Sequence, residues 1–232
     1  RQMCIRDRNK IMNIAIDGPS GAGKSTLAKA LAARLGFLYT DTGALYRTIA
    51  LAVKRRGLSP DDKDSVVALL PDIKISLQYI DGEQKLYLDG EEVGGLIRTN
   101  EISSYASKVS AIPEVRGFLL ELQRDIARKN NVIMDGRDIG TVILPDAEVK
   151  FFVTVSDDER ARRRHRELLA RGEVITLSDV KRTMAERDRC DSTRKIAPAV
   201  PAGDAVFLDN TGDFEETVER ALSVIRSRMK YE

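Results

Sequence analysis

The chain has 232 residues, 42% of them hydrophobic, which is enough for one compact core with small mobile subdomains and needs no second domain. Thirty-eight basic residues against thirty-six acidic leave a net charge of +2. That balance excludes general attraction to nucleic acid or a membrane, so anion recognition has to be local. Two distant cysteines (Cys4 and Cys190), no signal-peptide pattern and no apolar run of membrane-spanning length point to a reduced, cytoplasmic protein. The single histidine, His165, excludes most histidine-based metal sites and triads, so an expected metal is a hard cation held by oxygen.

Residues 1–11 carry charge without a helical or strand period, and Met12 stands directly before the first apolar run. They are read as an extension outside the fold, whether disordered, artificial or a misassigned start. Met12 to Ile16 predicts a strand, and Leu27, Ala28, Leu31, Ala32 and Leu35 fall on one helix face. Between them Gly18-Pro19-Ser20-Gly21-Ala22-Gly23-Lys24-Ser25 matches G-x-x-x-x-G-K-[ST], the phosphate-binding loop, in its strand–turn–helix setting. Glycines let backbone N–H groups close around phosphate oxygens, and the helix N-terminus adds positive potential. Lys24 is expected on the β- and γ-phosphates and the Ser25 hydroxyl on Mg²⁺. A glycine-rich turn that binds nothing is the bland alternative, and the flanking strand and helix disfavour it.

The helix is expected to end near Leu35 with Gly36 as its cap. Phe37 to Tyr39 predicts a second strand, after which Asp41-Thr42-Gly43 turns into a helix burying Leu45, Ile49, Ala52 and Val53. Arg47 projects away from that face, either as an anion ligand or as an ordinary solvated arginine. From Ile73 to Val93 apolar residues alternate, with turns at Asp81-Gly82 and Asp89-Gly90, which predicts an inserted antiparallel hairpin or meander. Pro113 opens a helix with Val115, Leu119, Leu122 and Ile126 inside. Asn131 to Met134 predicts a buried strand that runs into Asp135-Gly136-Arg137-Asp138. An acid at that strand end suits a Mg²⁺-organising or substrate-binding carboxylate, although Asp-Gly is also ordinary turn chemistry. Val149 to Val155 and Ala205 to Leu208 complete the strands, and a last helix uses Phe214, Val218, Leu222, Ile225 and Met229. Strands alternating with helices predict an α/β fold with a parallel sheet and helices on both faces.

Ser156-Asp157-Asp158-Glu159 forms a capping box ahead of Arg160, Arg162, Arg163, Arg164, Arg166 and Arg171. Ala161, His165, Leu168 and Leu169 share the apolar stripe, and Arg160, Arg164 and Arg171 line one flank, a row suited to phosphate oxygens or to stacking on a base. His165 reads as a packed or semi-exposed helix residue rather than a catalyst. A second helix is expected after Ser178, with Arg187, Asp188, Asp191 and Arg194 near its end, as an active-site wall or as a salt-bridged helix end.

Four blocks now stand in order: Asp17 to Thr26, Asp41 to Arg47 through Tyr46, Asp135 to Val142, and Glu186-Arg187-Asp188 with Asp191 and Arg194. Together they resemble the bacterial-type cytidylate kinase family, from about Met12 to the terminal helix. The resemblance implies a P-loop nucleoside monophosphate kinase fold in a single unit over 12–232. A five-stranded parallel core (12–40, 130–155, 200–232) would carry a small antiparallel insert (about 41–112) that binds the monophosphate and an arginine-rich lid (about 156–190) over ATP. ATP would lie along Gly18 to Thr26 and Arg160. Arg47 and Arg137, with Arg194 nearby, would hold the CMP phosphate. Thr42, Ser107, Arg116 and Asp138 would surround the base, Arg187 with Asp191 would face the ribose, and Tyr46 would also contact CMP. Lys24, Arg137, Arg194 and Arg164 would carry catalysis, with Mg²⁺ on Ser25. The implied reaction converts CMP or dCMP and ATP to the diphosphates, in a monomer that binds neither nucleic acid nor membrane. Rival readings are a P-loop kinase for another acceptor such as UMP or AMP, a GTP-driven switch, which would need an Asn-Lys-x-Asp motif that is absent, and a nucleic-acid module built on the arginine helix.

Overall fold

The computed structural model describes residues 11–170 and 172–230; residues 1–10 of the expected extension, and Arg171, lie outside the described residues. Five strands form one parallel sheet, β1 (Asn13–Asp17), β2 (Leu38–Asp41), β6 (Val132–Asp135), β7 (Val149–Thr154) and β8 (Val206–Asp209), in the order β2-β6-β1-β7-β8. β1 is central because its Ile14, Ala15 and Ile16 are fully buried, so apolar atoms meet both faces. Ile16 pairs in register with Asp135, and Asp41 also pairs with Asp135. The carboxyl ends of three neighbouring strands are therefore level.

One face of the sheet packs Ile14, Ile16, Phe151 and Val153 against α1 (Lys24–Leu35) and α8 (Phe214–Lys230), through Leu27, Leu31, Val218 and Leu222. The other packs Ala15, Val132 and Met134 against α5 (Pro113–Lys129) and a π-helical turn at Ile139–Ile143. Helices on both faces follow from the alternation of strand and helix, as expected.

A separate cluster forms between β2 and α5 in sequence. α2 (Thr42–Arg55), α3 (Lys63–Leu69) and α4 (Asn100–Val109) pack with a meander of β3 (Ile75–Ile80), β4 (Glu83–Leu88) and β5 (Glu91–Glu92). The antiparallel register, Ile75 to Leu88 through Ile80 to Glu83, is the one that the turn at Asp81-Gly82 requires. α2 is buried nearly all round rather than on one stripe, because α4, α5, β4 and β6 surround it. Finally α6 (Asp157–Ala170) and α7 (Leu177–Thr193) form a hairpin with its own small core of Ala161, Leu168, Val180 and Met184.

Several details depart from the sequence reading. α3 and α4 went unseen because one is short and the other polar. α7 starts at Leu177 because Thr176, not Ser178, caps it, its hydroxyl accepting from Asp179 N at 3.1 Å. Leu169 is 49% exposed and Met229 51% exposed, so neither belongs to a buried stripe; each lies near a helix end, beyond the reach of the opposing layer.

Phe151 is fully buried at the centre of the sheet face, and its replacement by alanine leaves a cavity that rigid neighbours cannot fill. Phe151→Ala should lower the unfolding free energy by about 3–5 kcal/mol in urea titration. Met229→Ala should stay within about 0.5 kcal/mol of the parent.

Candidate active site

The loop after β1 is shaped by neighbours that leave no room for side chains. Gly18 has φ +144°, and a Cβ there would run into the carbonyl oxygen of Val153. Gly23 has φ +83° as the N-cap of α1, and a Cβ there would strike the Asn210 carboxamide, which itself donates to Ala22 O at 2.9 Å. The loop thus keeps its backbone amides turned to one concavity at a helix N-terminus. Lys24 is buried, and its Nζ donates to Pro19 O at 2.7 Å. Burial, reinforced by Arg137, pushes its pKa well below the usual lysine value, with Asp135 and Asp17 pulling the other way. Thr26, in the first turn of α1, is exposed.

Asp135 closes β6 beside this loop. Its Oδ2 accepts from Ser25 Oγ at 2.6 Å and its Oδ1 from the Tyr39 hydroxyl at 3.0 Å. Burial and then the nearby Asp41 raise its pKa, while the Ser25 bond and Lys24 oppose the rise. A hydroxyl and a carboxylate at contact distance form a donor set that a hard cation accepts. Among the described residues no group of three or more His, Cys, Asp or Glu could hold a metal. A Mg²⁺ would therefore need oxygens from a bound phosphate beside Ser25 and Asp135.

A cavity of about 320 Å³ opens from Ser20, Gly21, Lys24 and Ser25. Thr42, Tyr46, Arg47, Ser107 and Arg116 line it together with Arg137, Asp138, Arg187, Asp191 and Arg194. Four sequence-distant segments, then, meet in one chamber. Arg47 does not project to solvent: Asp41, the N-cap of α2, accepts from Ala44 N at 2.9 Å and holds Arg47 Nη2 at 2.7 Å. The Arg47 Nε is buried without a partner. Thr42 Oγ1 donates to Asp135 O at 2.7 Å.

Asp138 sits between two guanidinium groups, paired with Arg116 Nη2 and lying 3.5 Å from Arg194 Nη2. Arg116 also donates to Ser110 O at 3.1 Å and stacks over the Tyr46 ring at 5.3 Å. Burial pushes the Tyr46 phenol up to about 12, against the pull of Arg116. Asp191 Oδ2 holds Arg137 Nε at 3.0 Å, and Arg137 Nη1 donates to Gly18 O at 3.0 Å. Arg187 is held by crowding rather than by a close partner: its Nε has none, and burial followed by Arg137 lowers its pKa to about 10. Burial also lowers Arg194.

The expected row of Arg160, Arg164 and Arg171 is split. Residues four apart on a helix differ by about 40° in direction, and two acids capture the first arginine. Arg160 is 6% exposed, pairs with Asp157, meets Asp188 Oδ2 at 2.6 Å and donates to Ser20 O at 2.9 Å. It lies with Pro19 along a second cavity of about 530 Å³, outside the first. Arg164 instead lines the first cavity, bound to Glu167 at 2.8 Å and to Asn100 Oδ1 at 2.9 Å. The ring of His165 shares a bond of 2.9 Å with Ile175 O and does not line the first cavity.

Sequence reasoning passed over Asp17, Asp41 and Tyr39 as site residues, while Asp188, read as part of an active-site wall or a salt-bridged helix end, pairs with Arg160. Asp17 had a visible signal, an acid at a strand end before the glycine loop. Its two oxygens accept from the amides of Ile139 and Gly140, each at 2.8 Å. This buried carboxylate joins the phosphate loop to the segment that carries Asp138. Tyr39 gave no signal that spacing could reveal.

Comparison with known proteins finds relatives over nearly the whole chain. The sequence profile of the cytidylate kinase family matches residues 14–227. A cytidylate kinase of Carboxydothermus hydrogenoformans is 50% identical over 215 residues, 92% of this chain and 97% of that protein. One from Geobacter sulfurreducens is 48% identical over 216 residues, 93% of each chain. An uncharacterized protein from Eubacterium ventriosum, 15% identical, superposes with a TM-score of 0.53 over 94% of this chain and 99% of its own, a likeness of fold alone.

Burial raises the Asp17 pKa from 3.8 to about 6, more than the amides of Gly140 and Ile139 lower it. The native state therefore keeps a proton that the unfolded chain has already released. Asp17's contribution to stability should be complete below pH ~4 and fall away as pH rises to about 6. Urea titrations across that window should show this slope in the parent and its loss in Asp17→Asn.

Proposed function

The chain belongs to the cytidylate kinase family, and from that premise we propose that it transfers the γ-phosphoryl group of ATP to CMP and dCMP, giving ADP with CDP or dCDP. The observation that carries this reading is continuity: the phosphate loop and the arginine–aspartate wall line one chamber. Donor and acceptor can then lie end to end, without a covalent intermediate.

In this reading ATP lies along Gly18 to Thr26, with Lys24 on its outer phosphates. Arg160 backs the loop through Ser20. Arg47 and Arg137 hold the acceptor phosphate, with Arg194 beside them, and Arg187 and Asp191 face the sugar. Ser25 and Asp135 would hold Mg²⁺ with the phosphates, and the ion would neutralise charge on the triphosphate. Arg164, next to Glu167 and Asn100, joins the lid to the acceptor side of the chamber. We assign the insert to about 41–112 and the lid to about 156–190 around a core of 12–40, 130–155 and 200–232. We take the enzyme to act as a monomer. Among the described residues no helix is long and apolar enough to cross a membrane. The cytoplasmic assignment and the absence of a nucleic-acid partner rest on composition.

The acceptor needs no general base. Its phosphate, with a second pKa near 6, is already largely ionised at neutral pH. Catalysis is then in-line positioning and neutralisation of charge by Lys24 and the arginines, in a chamber whose closure excludes water as a competing acceptor.

Base choice follows from hydrogen-bond polarity. Cytosine offers an amino donor at C4 and uracil a carbonyl. Asp138 can accept from the first and repels the second, while Arg116 donates to the ring carbonyl or N3. One such contact discriminates by about 1–3 kcal/mol, so some UMP turnover is expected.

Lys24→Ala should abolish ADP formation in a coupled assay while the circular dichroism spectrum stays native; retained turnover contradicts the scheme. In a panel of CMP, dCMP, UMP and AMP, Asp138→Ala should raise the ratio of UMP to CMP turnover. An unchanged ratio removes Asp138 from base reading.

A further inference from the structure

β2 is an edge strand of the parallel sheet, so one side of its backbone has no neighbouring strand. The last residue of that strand, Asp41, carries two duties at once. Its carboxylate caps α2 and holds Arg47, and it lies 3.8 Å from Arg98 Nη2. The backbone of Asp41 is itself held from outside the core. Gln84 Oε1 accepts from Asp41 N at 2.7 Å, and Gln84 Nε2 donates to Asp41 O at 3.3 Å. A side-chain amide here does what the peptide group of a missing strand would do. Tyr79 stands directly opposite Gln84 in the meander, and its hydroxyl bonds Thr40 Oγ1 at 2.5 Å. Two cross-strand neighbours thus grip two successive residues of β2.

We propose that Gln84 is a positioning residue for the acceptor phosphate: by clasping the Asp41 backbone it fixes the carboxylate that aims Arg47 into the chamber. Gln84 does not line that chamber itself. Its effect has to pass through Asp41, because an unclasped strand end can rotate its carboxylate away from both the α2 amide and the guanidinium. The inference rests on the proposed role of Arg47 toward the CMP phosphate. It adds that the antiparallel meander, whose strands contribute nothing to the chamber wall, sets acceptor affinity from behind.

Four proteins test it: the parent, Gln84→Ala, Arg47→Ala and the double variant, each compared by circular dichroism and thermal unfolding. CMP and ATP dissociation constants come from calorimetry with each nucleotide alone, and KM and kcat from the coupled assay. Gln84→Ala should raise the Kd and KM for CMP about three- to tenfold, the effect of losing a hydrogen bond. Its KM for ATP and its kcat at saturating CMP should stay at parental values. In the Arg47→Ala background the same substitution should add less than about twofold, because its route is already cut. Gln84→Met, which keeps the stem and removes both bonds, should behave as Gln84→Ala. Parental CMP affinity in Gln84→Ala while Arg47→Ala is weakened overturns this inference alone. Parental CMP affinity in Arg47→Ala overturns the acceptor reading and this inference with it. A Gln84 effect that persists undiminished without Arg47, or the failure of both Gln84 variants to fold, shows a purely structural role and overturns it as well.

Discussion

The constraint that shapes the site is like-charge crowding. A chamber meant for two phosphorylated nucleotides collects Lys24, Arg47, Arg116, Arg137, Arg187 and Arg194 around about 320 Å³. Burial strips these cations of hydration and their like-charged neighbours add repulsion, and both depress the pKa values of Lys24, Arg187 and Arg194. Carboxylates make the arrangement tolerable: Asp41 on Arg47, Asp138 on Arg116 and Arg194, Asp191 on Arg137. None of these acids needs a chemical role to be indispensable.

The same pairings stitch together parts of the chain that are distant in sequence. Asp138, after β6, reaches α5 through Arg116 and the end of α7 through Arg194. Asp188, on α7, meets Arg160 on α6 and the Ser20 amide in the phosphate loop, at 2.6 and 3.4 Å. Asp17 fastens that loop to the turn after Asp138. These contacts also join the α6–α7 hairpin to the phosphate loop.

Much of this was legible in the sequence, for identifiable reasons. The glycine loop and α1 could be read because a backbone cradle needs glycine and a helix face needs its period. The parallel core could be read because buried strands alternate with amphipathic helices. The meander announced itself through alternation and two Asp-Gly turns. The rest depended on register. No spacing rule says that Asp41, Asp135 and Ile16 end level, or that α2 is enclosed on all sides. The flank of arginines on α6 failed for the complementary reason: helical projection treats all exposed positions alike, whereas Asp157 and Asp188 pull Arg160 inward and leave Arg164 to the chamber.

The depressed pKa of Lys24 bears on how such a site works at all. An ammonium group that is buried, and that has Arg137 as a repelling neighbour, is poorly stabilised until an anion arrives. In the proposed reaction the phosphates of a nucleotide supply that anion and become the counter-charge of Lys24. A phosphate oxygen is likewise a strong partner for the guanidinium groups that line the chamber. The neighbouring carboxylates offset part of the crowding, and the proposed ligands add further counter-charge. A site of this kind needs no histidine and no general base, because its capacity for catalysis lies in fixed charge awaiting a counter-charge.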